Sequence, residues 1–451
     1  MTLQPTTPHS PPLAVRPAAV EIPLRPRFGV EMDVEITALN ADGLGVAHLV
    51  HRPNAETEIF WTLTVRHVLP GERATVTILR AAKRKATARL VRLHRESPDR
   101  VAMRCAHAGT YDGAGRGCGG CPLAGLSVPA QRRYKREALV GLLADVGISA
   151  TDVAPMRGVE PPWRHRNKME FSFGDDAERA LVLGLHPPGF RYEIIDVGDC
   201  HLFPEDAMAL VTLTRTWQRD AAVPHHDARR NQGLLRTLTV RVGHRSGERL
   251  LDLCTEDVET ISLHGIEHNV RALVMAWHDA IVAGAAALGV RVDGLWWTRH
   301  HARRGEKTRI ESEYLSGARA LSETLLVAGA PARTFAIHPR AFFQPSSAGA
   351  EAIYAAVREL VVAQRAVGDA DRPVSGAGAS AIAAEGGALL DLYCGAGTIG
   401  LILADLFAEV IGVELEDAAV DAARDNAAAN GIPHAQFFAG DAASALVAAG
   451  L

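Results

Sequence analysis

The stretch DLYCGAGTIG, Asp391 to Gly400, decides the fold. It follows the apolar run Ala388-Leu389-Leu390 and precedes a helical pattern with Ile399, Ile402, Leu403 and Leu406 on one face. In that order the three signals spell a strand, a glycine turn and a helix N-terminus. Gly395 and Gly397 carry no Cβ, so a ligand can lie against the backbone there. A second apolar run, Val410-Ile411-Gly412-Val413, ends at Glu414. That residue lies about 20 positions past the first glycine, where a carboxylate can hold two ribose hydroxyls. The next helical pattern turns Ala418, Ala422 and Ala423 inward and stops at Asn430-Gly431, a C-cap pair. A third run, Gln436 to Phe438, leads to Gly440-Asp441. The pattern predicts the first half of a doubly wound, Rossmann-like α/β sheet.

Gly395, Gly397 and Gly400 spell GxGxxG, which also suits a dinucleotide. Two features favour S-adenosylmethionine instead. Asp391 sits at the strand end, where a carboxylate meets a ligand ammonium and repels a pyrophosphate. Glu414 and Asp441 add further negative charge, and a cationic ligand that carries an adenosine fits such a pocket.

A chain of 451 residues with 47% hydrophobic content predicts two to four domains. No apolar run is read as long enough to span a bilayer, and the Pro-rich N-terminus has no apolar signal core. A cytoplasmic protein is expected. The net charge of −4 is unevenly placed. Basic residues gather at Lys83–Arg95, Arg132–Arg136, Arg164–Lys168 and Arg299–Arg309, whereas residues 401–451 hold eight acids and one base, Arg424. One part suits a polyanion and another a cationic cofactor. A solvated basic face is the plainer reading of any single run.

Residues 1–27 carry seven prolines and read as a disordered tail. From residue 28 to residue 95 the pattern alternates: Val30, Met32, Val34 and Ile36, then Leu44–Val50, Ile59–Val65, Ala74–Leu79 and Ala86–Leu93. Five short strands predict a small oligonucleotide-binding (OB-like) β-barrel. The order of these pieces resembles a TRAM domain, an RNA-binding barrel. Lys83, Arg84 and Lys85 are its candidate phosphate contacts.

Residues 96–128 read as a cluster-binding segment. Cys118-Gly119-Gly120-Cys121 is a two-residue-spaced pair whose glycines let backbone wrap an ion. Cys105 is a third candidate ligand. Cys200 lies in a similar polar turn, DVGDCHLF. Four thiolates suit zinc or an iron–sulfur cluster. A CxxC pair buried without a metal is the plain alternative. Cys254 reads as a core residue of an apolar strand.

Residues 129–330 read as a helix and an α+β central domain. The helix, Gln131–Leu143, is expected to turn Tyr134, Ala138, Leu139 and Leu142 inward. Trp163 to Phe173 reads as a basic loop entering a strand, with Arg164, Arg166 and Lys168 as candidate RNA contacts. Further strands are expected at Leu181–His186, Tyr192–Val197, Leu235–Val242, Leu250–Cys254 and Gly294–Thr298, and a helix at Val270–Leu288. His186 and His201 read as surface or turn residues before ligands. Residues 331–451 form the cofactor-binding domain. In Phe342-Phe343-Gln344 an amide follows two aromatics, so the rings can stack while Gln344 bonds a base edge. As core rings beside a surface amide, the run needs no function. Residues 367–387 read as a flexible Ala/Gly/Ser-rich insertion.

TRAM-like barrel, CGGC, RNKMEFSFG, FFQ and DLYCGAGTIG occur in that order. Together they resemble the uracil-C5 RNA methyltransferases, in particular the iron–sulfur branch that acts on ribosomal RNA. The resemblance covers about Gly29 to Leu451. It implies that Cys105, Cys118, Cys121 and Cys200 hold a [4Fe–4S] cluster. It implies that Gln344, Tyr393, Thr398, Glu414 and Asp441 line the S-adenosylmethionine site. Two departures stand out: the gap between Cys105 and Cys118 is wider than the family's, and Ser346 stands where the family has asparagine.

In the family a cysteine beyond the third strand attacks uracil C6, which makes C5 a carbon nucleophile toward the methyl group. No such motif occurs up to Leu451. Nucleophile and base are therefore expected beyond it, the chain is read as truncated, inactive in methyl transfer and poorly soluble alone, and Cys394 on the cofactor turn is not promoted to nucleophile. The complete protein is expected to be a monomer without a membrane anchor. Two other functions fit the same residues: a catalytically inactive RNA- and cofactor-binding remnant, and a zinc-stabilised RNA-binding module.

Overall fold

Alternation after Gly29 becomes a sheet that nearly closes on itself. In the computed structural model, which describes residues 19–22, 25–108, 117–144, 146–176, 178–302, 305–370 and 387–441, the chain falls into two compact units, Met1–Met156 and Arg157–Leu451. The first unit holds β1 (Val20–Ile22), β2 (Glu31–Glu35), β3 (Ala38–Leu39), β4 (Gly45–Asn54), β5 (Thr57–Val65), β6 (Arg73–Ala82) and β7 (Lys85–Arg95). The spatial order is β1-β4-β5-β7-β6-β2, and β3 pairs back onto β4. Because β3 follows β2 after two residues, the chain bridges the two ends of the sheet. Inward residues such as Val34, Leu49, Leu63, Val76 and Ile78 fill the interior.

Two expectations change here. Strand β1 falls inside the stretch read as a disordered tail: Val20 and Ile22 flank Glu21, a period-two pattern, and Ile22 packs into the barrel core. Residues 1–18 lie outside the described residues. The helix α1 (Val128–Ala144) forms, but only its first turns pack, through Ala130 and Tyr134. Ala138, Leu139 and Leu142 are exposed, Leu142 at 64%. The helical period is present, but no described element covers that face.

The second unit begins with a seven-stranded sheet in the order β10-β9-β8-β11-β12-β15-β16. Its strands are β8 (Lys168–Asp175), β9 (Leu181–Leu185), β10 (Ile195–Asp196), β11 (Leu235–Val242), β12 (Arg249–Glu256), β15 (Gly294–His301) and β16 (Arg309–Gly317), with the hairpin β13 (Thr260–Leu263) and β14 (Ile266–Asn269) between β12 and β15. Helices α2 (Glu205–Asp220) and α3 (Val270–Leu288) cover one face. Met169, Phe171, Leu238, Val240, Leu251, Leu253 and Trp297 meet them there. The opposite face carries Lys168, Glu170, Thr239, Arg241, Asp252, Cys254 and Thr298, in line with strand alternation. Cys254 is buried, as expected of a core residue. No bilayer-length apolar run is expected from the sequence, yet α3 meets that length and composition. It is an amphipathic core helix: Val274, Trp277 and Ile281 face the sheet.

The rest of the unit is the cofactor fold. Strands β17 (Leu321–Leu325) and β18 (Arg333–Ile337) form a hairpin across residue 330, the expected domain boundary. Leu321, Leu325, Phe335 and Ile337 share a core with Leu401, Val410 and Phe437, so both strands belong with the cofactor fold. Helix α4 (Ser347–Ala370) follows and enters the stretch read as a flexible insertion; residues 371–386 lie outside the described residues. Then come β19 (Ala388–Leu392), α5 (Thr398–Leu403), β20 (Glu409–Glu414), α6 (Asp417–Ala429) and β21 (Ala435–Ala439). β19, β20 and β21 pair in parallel in that order, as the sequence predicts. Among the described residues β19 pairs on one side only.

Candidate functional site

The strand ends of the parallel sheet bring together Asp391, Tyr393, Gly395, Gly397, Thr398, Glu414 and Asp441. Glu414 ends β20, and its Oε2 accepts the Gly395 N–H at 3.0 Å. Its Oε1 accepts from Leu415 N at 2.7 Å. The carboxylate is thus fixed by backbone before any ligand arrives. Gly440 N donates to the Glu414 carbonyl at 2.9 Å, which sets the exposed Asp441 beside it.

The glycines divide their work. Gly395 has φ +55°, and a Cβ on it would meet nothing within 4 Å, so its surface is open. Gly397 has φ +77°, and a Cβ there would meet Phe437 at 2.9 Å and Ala423 at 3.2 Å. The sequence pattern assigns both glycines to the ligand. Only Gly395 leaves bare backbone; Gly397 serves the left-handed turn and the close packing of Phe437. A third left-handed residue is Tyr393, φ +60°, an uncommon state for a bulky side chain. Its ring is 78% exposed at the turn. Strain of this kind gathers at ligand sites.

Asp391 has a structural bond of its own. Its Oδ2 accepts the Gly400 N–H at 2.9 Å and so ties the strand to α5. Burial raises its pKa, against the downward pull of that amide. Thr398 is buried at the start of α5. Cys394 is buried, and burial, with the nearby charges of Asp391 and Glu414, pushes its thiol up to about 12. A thiol held protonated at neutral pH is a poor nucleophile, which agrees with leaving Cys394 unassigned.

One residue that sequence reasoning missed holds this turn. Asn426 of α6 is buried; its Nδ2 donates to Ala396 O at 3.1 Å and its Oδ1 accepts from Ala336 N at 2.9 Å. It pins the glycine turn to β18. Nothing in a single sequence marks an asparagine in the alanine-rich run as a clamp.

Of the Phe342-Phe343-Gln344 run, only Phe342 is exposed, at 73%. Phe343 packs on Phe335 with centroids 6.2 Å apart, so it is core and not a stacking platform. Gln344 is half-buried.

The candidate RNA contacts separate. Lys83, Arg84 and Lys85 are exposed at the β6–β7 tip, where Lys83 (φ +49°) and Arg84 (φ +62°) make a tight two-residue turn. Arg164 is already committed. Its guanidinium donates to both oxygens of Asp199, to the carbonyls of Cys200 and Phe203, and to Glu205. Those bonds hold the turn that carries Cys200, so Arg164 is built into the fold. Arg166 and Lys168 are half-buried, and burial lowers the Lys168 pKa.

Cys105, Cys118 and Cys121 are half-buried in the first unit, where Gly120 N donates to Cys118 Sγ at 3.4 Å. Cys200 is buried in the second unit. Among the described residues no group of three or more His, Cys, Asp or Glu side chains comes together to hold a metal. Residues 109–116, between Cys105 and Cys118, lie outside the described residues. His186 bonds Ser172 at 3.0 Å, and His201 packs edge-on to Trp163, as turn and surface residues do.

Residues 383–449 match the family model described as a methyltransferase domain. An uncharacterized RNA methyltransferase of Caldanaerobacter subterraneus subsp. tengcongensis is 30% identical over 418 residues, 93% of this chain and 81% of that protein. An uncharacterized RNA methyltransferase of Clostridium tetani is 26% identical, over 93% of this chain and 80% of that protein. The Pyrococcus abyssi tRNA (uracil-54, C5)-methyltransferase, solved with S-adenosyl-L-homocysteine, superposes with a TM-score of 0.60 at 20% identity, covering 91% of this chain and 79% of that one.

Proposed function

This chain belongs to the RNA methyltransferase family, and we propose that it serves methylation of uracil C5 in ribosomal RNA. The methyl donor is S-adenosylmethionine, whose sulfonium supplies an electrophilic methyl group. The observation that carries the donor site is the pair formed by Gly395 and Glu414: bare backbone beside a carboxylate that backbone amides already hold. Glu414 is the residue for the ribose hydroxyls. Tyr393 and Phe342 offer exposed rings to the adenine, and Gln344 an amide for its edge. Asp391 and Asp441 set a negative potential that favours a cation.

Support for uracil C5 comes from the ordered motifs and from a fold shared with an enzyme that acts on uracil. No residue of this chain is assigned the nucleophilic step. Ribosomal RNA rests on the resemblance of the sequence motifs alone, and tRNA is the second reading, since the structural neighbour acts there. The [4Fe–4S] cluster on Cys105, Cys118, Cys121 and Cys200 also belongs to this proposal, supported by the CxxC spacing and the amide on Cys118 Sγ. No chemical step is routed through it. A cytoplasmic protein completes the reading, from the sequence.

Gene deletion tests the substrate. In cells without the gene, one 5-methyluridine should vanish from ribosomal RNA on nucleoside mapping. Loss from tRNA alone would move the target. An unchanged 5-methyluridine content in both RNAs would end the uracil-C5 reading.

A further inference from the structure

The loop His338–Pro345, which carries Phe342 and Gln344, is tied at both ends to the central sheet. Asn167, next to the start of β8, is buried, with 4% exposure. Its Nδ2 donates to Gln344 O at 2.8 Å and to Ser347 Oγ at 3.1 Å, and its backbone N donates to Pro345 O at 2.9 Å. Arg241 of β11 is also buried; its Nε donates to Pro339 O at 2.7 Å, and its Nη2 donates to Ala341 O. Two residues thus hold four points of one loop.

The chemistry of these bonds is directional. A loop that needed only packing could rest on apolar contacts alone. Here a buried guanidinium bonds two carbonyls, and among the described residues no carboxylate is bonded to it. Asn167 Oδ1 is buried without a partner among the described residues, a cost that an apolar packing residue would avoid. Fixing the carbonyls of residues 339, 341, 344 and 345 fixes the peptide plane that follows Gln344 and two planes earlier in the loop. The direction of the Gln344 side chain then follows from its rotamers.

We infer that Asn167 and Arg241 are positioning residues for Gln344, and that they set the affinity of the cofactor site from the central sheet. This rests on the reading of Gln344 as a cofactor contact. Asn167 stands between Arg166 and Lys168, so the strap also joins a candidate RNA-facing segment to the cofactor loop.

A double-mutant cycle on the 451-residue chain tests it, with S-adenosyl-L-homocysteine titrated by calorimetry. Asn167→Ala should weaken binding about five- to tenfold, the scale of a lost buried hydrogen bond. In a Gln344→Ala background the same change should cost less than about twofold. Arg241→Lys is a second variant that keeps the charge and loses the fork; it should behave alike. Equal losses from Asn167→Ala with and without Gln344 would overturn the inference, because the residue would then act on the fold at large. If Asn167→Ala does not fold, the Arg241→Lys cycle decides by the same criterion. If Gln344→Ala leaves affinity unchanged, the reading of Gln344 fails, and the inference falls with it. The cycle thus separates the two failures.

Discussion

At the scale of single residues, Gly395 and Gly397 have opposite sensitivities. Ala at either position must adopt a left-handed φ, which costs on the order of 1–2 kcal/mol. At Gly397 the methyl would also meet the Phe437 ring. Gly397→Ala should therefore lower the denaturation midpoint more than Gly395→Ala. Gly395→Ala should lower S-adenosylmethionine affinity more than its stability loss explains, because its methyl enters the open surface. Denaturant melts beside calorimetry will check the pair; a reversed order would show that the ligand passes elsewhere. Glu414→Ala should weaken the cofactor by about 1–3 kcal/mol, the range for hydrogen bonds to a charged group. Equal affinity would demand another pose. Asp391 gives a pH test. Its folded pKa is raised by burial, so the stabilising form is the protonated one. That contribution is full below the usual carboxylate range and is lost as pH rises through the folded value. Asp391→Asn keeps an acceptor for Gly400 and avoids the loss. The apo variant should gain more over wild type near neutral pH than in acid below the carboxylate range, read from denaturant midpoints. A larger gain in acid would refute the burial argument.

At the scale of elements, the exposed β6–β7 tip and the committed Arg164 part company. Replacing Lys83, Arg84 and Lys85 by alanine should reduce RNA affinity and flatten its salt dependence, by on the order of 0.7–0.9 in slope for each phosphate no longer neutralised. An unchanged slope would place the tip off the RNA path. Arg164→Ala should act mainly on stability, since its removal takes one donor from Asp199 and from the carbonyls of Cys200 and Phe203. The strand–turn–helix of residues 388–403 is legible in the sequence because a long apolar period and fixed glycine spacing are local signals. The barrel strands are legible for the same reason, through simple alternation. Three features are not. Strand β1 is only three residues long and sits among prolines. Helix α2 goes unnamed although it begins with Glu205 and Asp206, an acidic first turn. Its N-cap position is Pro204, which gives no side-chain capping signal. The loop around Arg164 looks basic and therefore solvent-facing, yet its charge is answered by acids some 35 to 41 residues away. A pattern of charge along one segment cannot reveal a partner that far off.

At the scale of the molecule, two properties can be measured without knowing the RNA. Anaerobic purification should yield iron and acid-labile sulfide if four thiolates bind the cluster, and Cys200→Ser should lower both. Stoichiometric zinc without sulfide would replace the cluster with a structural ion. Strand β19 leaves one side unpaired among the described residues, and Leu390 and Leu392 are exposed along it, at 40% and 41%. An open apolar edge invites pairing. Sedimentation should therefore show concentration-dependent association, which Leu392→Lys reduces; a strictly monomeric profile at high concentration would count against it. The two straps on the Gln344 loop also bear on the order in which the molecule is made. Asn167 precedes Gln344 by 177 positions, and Arg241 precedes Ala341 by 100. Domains fold from the N-terminal side as the ribosome delivers them. The last strand of the central sheet, β16, ends at Gly317, so that sheet can close while the loop is still untranslated. Until Pro345 emerges, both donors wait over an uncovered surface. Docking of the loop is then the moment at which a newborn chain exchanges water for its own carbonyls, and a chain stalled between residues 317 and 338 should exchange the Asn167 side-chain amide protons freely.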